Sequence, residues 1–84
     1  MSNLGTWNLN NTDYRKISEL TGITFEEGKT YTLQITSGQA YIREGLNGAG
    51  FLIDNTKPFQ YTAGTDDLFI KVTVLYSCVL NIGD

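Results

Sequence analysis

From residue 23 to residue 82, short apolar and β-branched runs alternate with breaks that carry Gly, Asp or Asn. The breaks fall at 26–29, 37–38, 44–50, 54–56 and 63–67. Runs this short, at this spacing, predict an all-β domain: a small antiparallel β-sandwich or jelly-roll-like barrel of about seven to eight strands. The clearest run has Tyr31, Leu33 and Ile35 interleaved with Thr30, Thr32, Gln34 and Thr36. A two-residue period places the three apolar side chains on one buried face. Segments 23–25, 39–43, 51–53, 59–62, 68–75 and 78–82 complete the expected strands. In 39–43 two faces are open, Ala40 with Ile42 or Tyr41 with Arg43. A single strand over 68–82 would run about 50 Å at ~3.3 Å per residue, too long for so small a domain. It must therefore divide, near Leu75, Tyr76 and Ser77, where no glycine marks the reversal.

The punctuation adds detail. Glu27, Gly28 and Lys29 suit a hairpin between Phe25 and Tyr31, with glycine at a positive φ. Ser37 and Gly38 read as a second tight reversal. Pro58 has no N–H to give to a ladder and belongs at a strand start or a sheet edge. Phe25, Phe51, Phe59 and Phe69 lie inside apolar runs and are expected in the core. Tyr41, Tyr61 and Tyr76 are candidates for an outer face or a subunit contact.

Residues 1–12 differ in kind. Asn3, Asn8, Asn10 and Asn11 disfavour a strand interior, so the segment reads as an N-terminal arm or an edge strand. It is set apart from a single β-sandwich domain over 13–84. Leu4, Trp7 and Leu9 either anchor this arm on a neighbour or pack onto their own domain as a first strand. In 12–22, Tyr14, Ile17 and Leu20 recur at three-residue spacing. That predicts one short helix, with Thr12 as cap and Gly22 as stop.

Composition narrows the chemistry. The 84 residues contain no histidine and one cysteine, with a net charge of −3. A nucleic-acid partner would want a basic face, so none is expected. No apolar stretch reaches membrane-span length, and the first residues carry no secretory signal. Cys78 has no partner within these residues for a disulfide, and a structural zinc lacks its ligands. Of the devices that reinforce a small core, oligomerisation is left. Without histidine, Ser37 or Ser77 would need lysine as a base, and no motif supports that. The adjacent acids Glu26 with Glu27 and Asp66 with Asp67 sit in expected turns and read as solvated turn residues. Asp54, Asn55, Thr56, Asp66 and Asp67 supply oxygen ligands, but the EF-hand spacing is absent. Gly45, Gly48 and Gly50 have no βαβ context that would make them a nucleotide loop. The expectation is a protein that is not an enzyme and has no cofactor and no metal.

Several runs together resemble small virion structural proteins of tailed bacteriophages. They are 27–35 (Glu27-Gly28-Lys29 leading into Tyr31-Thr32-Leu33-Gln34-Ile35), 41–44, 50–53, 58–61, 66–71 and 79–82. The resemblance spans about residues 23–84 and lies in strand texture and order. It implies a subunit that decorates or cements a capsid, or builds a head or tail fibre, acting in the virion after synthesis in the host cytoplasm. The implied partners are copies of itself, as a homotrimer, and the major capsid protein or another virion protein. The rival expectation is a glycan- or receptor-binding module of a fibre, using the 44–50 loop with Tyr41 and Tyr61.

Overall fold

The computed structural model describes residues 3–45, 48–72 and 77–84. It contains β1 (Asn3–Leu9), β2 (Arg15–Lys16), α1 (Ile17–Thr21), β3 (Thr30–Ser37), β4 (Gln39–Glu44), β5 (Phe51–Asp54), β6 (Phe59–Thr62), β7 (Leu68–Val72) and β8 (Cys78–Gly83). The strands form two four-stranded sheets, in the orders β1-β8-β3-β6 and β2-β7-β4-β5. The first is sheet A and the second sheet B. Every pairing is antiparallel. The pairs β1 with β8, β2 with β7, β3 with β6 and β4 with β5 are nested. One long hairpin has thus been rolled so that its layers fall alternately in the two sheets, which is the jelly-roll form of the β-sandwich.

The alternation of β3 behaves as expected. Tyr31, Leu33 and Ile35 are buried and face Ile82 and Leu80 of β8. In β4 the open choice falls to Ala40 and Ile42, both fully buried, while Tyr41 points outward. Ile53 of β5 and Leu68, Ile70 and Val72 of β7 complete the inner face of sheet B. Burying each such aliphatic side chain is worth about 1.5–3 kcal/mol. These inner faces are the main source of stability.

The connections depart from expectation at two turns. Ser37 and Gly38 do not reverse the chain within a sheet. They turn a corner, because β3 lies in sheet A and β4 in sheet B. Gly38 sits at φ 82°, and a Cβ there would lie 2.6 Å from the Ser77 carbonyl oxygen. Only glycine fits both conditions. The turn at 26–29 does form, with Lys29 N–H donating to Glu26 O at 3.0 Å and Gly28 at φ 88°. It is not a hairpin, because residues 23–25 form no strand. Phe25 explains this: its ring meets Tyr31 and Tyr61 edge-on, with centroids 4.8 and 5.5 Å apart. That packing draws the segment across the end of the sandwich, away from any ladder. Among the described residues, β4 and β5 are the one pair of successive strands lying side by side. Tyr76 and the expected reversal near Leu75 lie outside the described residues.

Two local readings are corrected. The separate arm over 1–12 is, in its described part, the edge strand of sheet A. Trp7 stands opposite Leu80 and Leu9 opposite Cys78, so both face the domain's own core. A bulge at Leu4 offsets Asn3 from Gly5, and Asn81 Nδ2 holds it by donating to Asn3 Oδ1, Gly5 O and Thr6 Oγ1 at 2.8–3.1 Å. The strand therefore belongs to one unit with residues 13–84. The helix begins at Ile17, not Thr12, and residues 15–16 pair with β7 instead. Gly22 does stop it, in the left-handed conformation, with its N–H donating to Ser18 O at 2.8 Å.

Candidate functional site

The five residues singled out for interaction scatter. Leu9 is buried and Trp7 half-buried against the core, while Leu4 on the bulge is exposed. Tyr61 is buried on the inner face beside Tyr31. Its hydroxyl donates to Asp66 O at 3.3 Å. Burial, then the negative charge of Glu44, pushes its pKa above the usual tyrosine value. Tyr61 is therefore not a surface aromatic, and the paired Tyr41–Tyr61 glycan platform does not form. Tyr41 is exposed as expected.

Their place inside apolar runs assigns Phe51 and Phe59 to the core, and here it misleads. Phe51 stands opposite Ile42 and Phe59 opposite Leu33, both inward by parity. Yet β5 and β6 are the outermost strands of their sheets, on the same flank of the sandwich. Inner-face positions there look out of the open side. Phe51 is 42% exposed and Leu52, on the outer face of β5, is 44% exposed, while Phe59 is half-buried. With Pro58 they wall a groove of about 390 Å³. A second depression of about 470 Å³ lies across the same two rings, toward Glu44, Gly48 and Gln60. The far edges are less inviting for strand addition: β1 is interrupted by its bulge and β2 is two residues long. Bulged and very short edges resist intermolecular pairing.

The outer face of sheet B carries a second grouping that the sequence did not bring forward. Arg43 is opposite Phe69, and Tyr41 is opposite Lys71 on one side and Leu52 on the other. The ring of Tyr14, just before β2, is within cation–π reach of both cations. The Arg43 guanidinium carbon is 4.0 Å and Lys71 Nζ 5.0 Å from its centroid. Gly50 makes room for this ring, since a Cβ there would run into the Tyr14 hydroxyl. Polar–apolar alternation in 41–43 is visible in the chain. That β4 and β7 are neighbours is not, and only their adjacency assembles the group.

Ionisable groups elsewhere are in structural roles. Asp54 accepts from the N–H and hydroxyl of Thr56, which together hold its carboxyl below the usual range. Hydrogen bonding and charge from Asp84 raise Lys29. Burial pushes the Cys78 thiol up, so it stays protonated and a poor nucleophile. Among the described residues, no three His, Cys, Asp or Glu side chains converge to hold a metal ion. Likewise, no helix among them is long and apolar enough to cross a membrane. Comparison of the chain with family models, curated proteins and solved structures gives no match.

Proposed function

We propose that this domain is a structural assembly module, a virion component of the decoration or cement type, that works by adhesion. A second copy is the first partner, docked on the β5–β6 flank, and the capsid surface is the larger one. The carrying observation is the cluster of Phe51, Leu52, Phe59 and Pro58 at two neighbouring free edges. Large apolar side chains grouped this way at an edge favour a protein contact. Burying one exposed ring or leucine contributes about 1.5–3 kcal/mol. Repeated weak contacts on a lattice add through avidity. The jelly roll is a frequent architecture of capsid proteins, which is an argument by analogy.

Light scattering on the purified chain tests the self-contact. A trimer that falls to a monomer in the Phe51→Ser, Leu52→Ser double variant is the expected result. A strict monomer at high concentration overturns the contact. Electron microscopy of bare capsids mixed with the protein tests the virion assignment, where empty lattice points would count decisively against it.

A further inference from the structure

We propose that the outer face of sheet B is a binding site for a carboxylate-bearing sugar, with Arg43 and Lys71 taking the carboxylate and Tyr41 stacking on the pyranose ring. The first support is the distribution of ion pairs. Arg15 is paired with Glu19, Lys16 with Asp67 and Lys29 with Asp84. Arg43, Lys57 and Lys71 have no carboxylate within ion-pair distance among the described residues, and of these Arg43 and Lys71 both lie against the Tyr14 ring. Two like charges held against one ring repel each other, and an anion within reach of both relieves that repulsion. The aromatic rings of Tyr14 and Phe69 hold the guanidinium by stacking, with Phe69 at 5.9 Å. The fork is thus positioned without its donors being tied up by a partner acid.

The second support is Tyr41. It is 38% exposed, lies directly opposite Lys71, and has Lys71 Nζ 5.6 Å from its centroid. An exposed aromatic face beside two cations suits a ring that is apolar on one face and acidic at one corner. The charge balance selects a sugar acid over a polyanion. The chain carries −3 overall, so an acidic peptide or nucleic acid would meet long-range repulsion, while one carboxylate meets only the local pair. The nearest acid along the outer face of β5, Asp54, is already satisfied by Thr56. The site adjoins the β5–β6 flank where Leu52 stands opposite Tyr41, but Arg43 and Lys71 lie outside that flank, so Lys71→Gln tests sugar binding and leaves the self-contact untouched.

The test is a titration of the ¹⁵N-labelled chain with an aldotriouronic acid, a trisaccharide of one uronic acid and two neutral sugars that carries a single carboxylate, followed by amide shifts. Saturable shifts confined to β4, β7 and the neighbourhood of Tyr14 are expected. Affinity should fall about tenfold in Lys71→Gln, in Arg43→Gln and for the methyl ester of the trisaccharide, the loss of one charge-assisted contact. Lys71 is solvent-facing, so its variant keeps the fold even if Arg43→Gln does not, and peak dispersion checks both. Tyr41→Ala should weaken the trisaccharide and leave acetate binding unchanged. The proposal is overturned by an absence of saturable shifts at millimolar ligand, by equal binding of the ester, by acetate matching the trisaccharide, or by tighter binding of a hexaglutamate peptide.

Discussion

Phe51 and Phe59 meet edge to face, with ring centroids 5.0 Å apart and planes at 61°, although they belong to opposite sheets. The contact closes the flank where the two inner faces would otherwise open to water. It also leaves apolar surface exposed, Phe51 at 42%.

The pair should therefore divide its effects. Phe59→Ala removes a half-buried ring from the core margin and is expected to cost about 2–3 kcal/mol in urea unfolding. Phe51→Ser, at the more exposed ring, should cost only about 1 kcal/mol yet lower the native mass measured by light scattering. Equal stability losses for the two, with unchanged mass, would contradict this division.

Gly38 and Gly28 offer a controlled comparison. Both have positive φ, 82° and 88°. A Cβ at Gly28 meets nothing within 4 Å, whereas one at Gly38 strikes the Ser77 carbonyl. Gly28→Ala should cost about 1 kcal/mol from backbone strain alone. Gly38→Ala adds a steric clash with main chain at the sheet-to-sheet corner, and should cost about 3 kcal/mol or more. Denaturant midpoints of the two variants decide it.

Deleting residues 1–11 should abolish cooperative unfolding, not merely remove a docking arm. The deletion strips β8 of a ladder partner and leaves Leu80 and Cys78 uncovered on one side. It also removes Asn11, whose side chain donates to Ile70 O at 2.7 Å and whose carbonyl accepts from Val72 N–H at 2.8 Å. Circular dichroism during a thermal melt would show the loss. A deletion variant that melts as sharply as the intact chain would restore the arm reading.

Alkaline pH should weaken the fold in a defined direction. Burial raises the Cys78 thiol above its ordinary 9.0 and the Tyr61 phenol above its ordinary 10.0. Between those values and the raised folded ones, the unfolded chain has released protons that the folded chain keeps. Unfolding then becomes more favourable as pH rises. Stability is whole below about pH 9 and declines above it. Urea midpoints across this range should fall, with a shallower decline in Cys78→Ala. A thiol reagent at neutral pH should label Cys78 only at the rate of unfolding, since the side chain is fully buried.

Much of the architecture could be read along the chain. The alternation of Tyr31, Leu33 and Ile35, the break before Phe59 at Pro58, and the stop at Gly22 are local matters. Each follows from backbone sterics or from the two-residue period of a strand. Periodicity tells which side chains share a face. It does not tell whether that face lies at the middle of a sheet or at its border, so Phe51 reads as core and emerges exposed, while Tyr61 reads as surface and is buried. Nor does a turn residue reveal whether the chain doubles back or changes sheet, as Gly38 shows.

The order of residues alone thus established an all-β domain with its strands and most of its inward positions, because those depend on neighbours one to four places away. Partnership between strands came only with folding: β4 beside β7, β5 and β6 on one flank, β1 against β8. The β4–β7 partners are 24 to 32 residues apart along the chain and the β1–β8 partners 69 to 80, as with Tyr41 opposite Lys71 and Trp7 opposite Leu80. Long-range apolar burial, which has no local signature, selects them. Both proposed interaction surfaces rest on that selection.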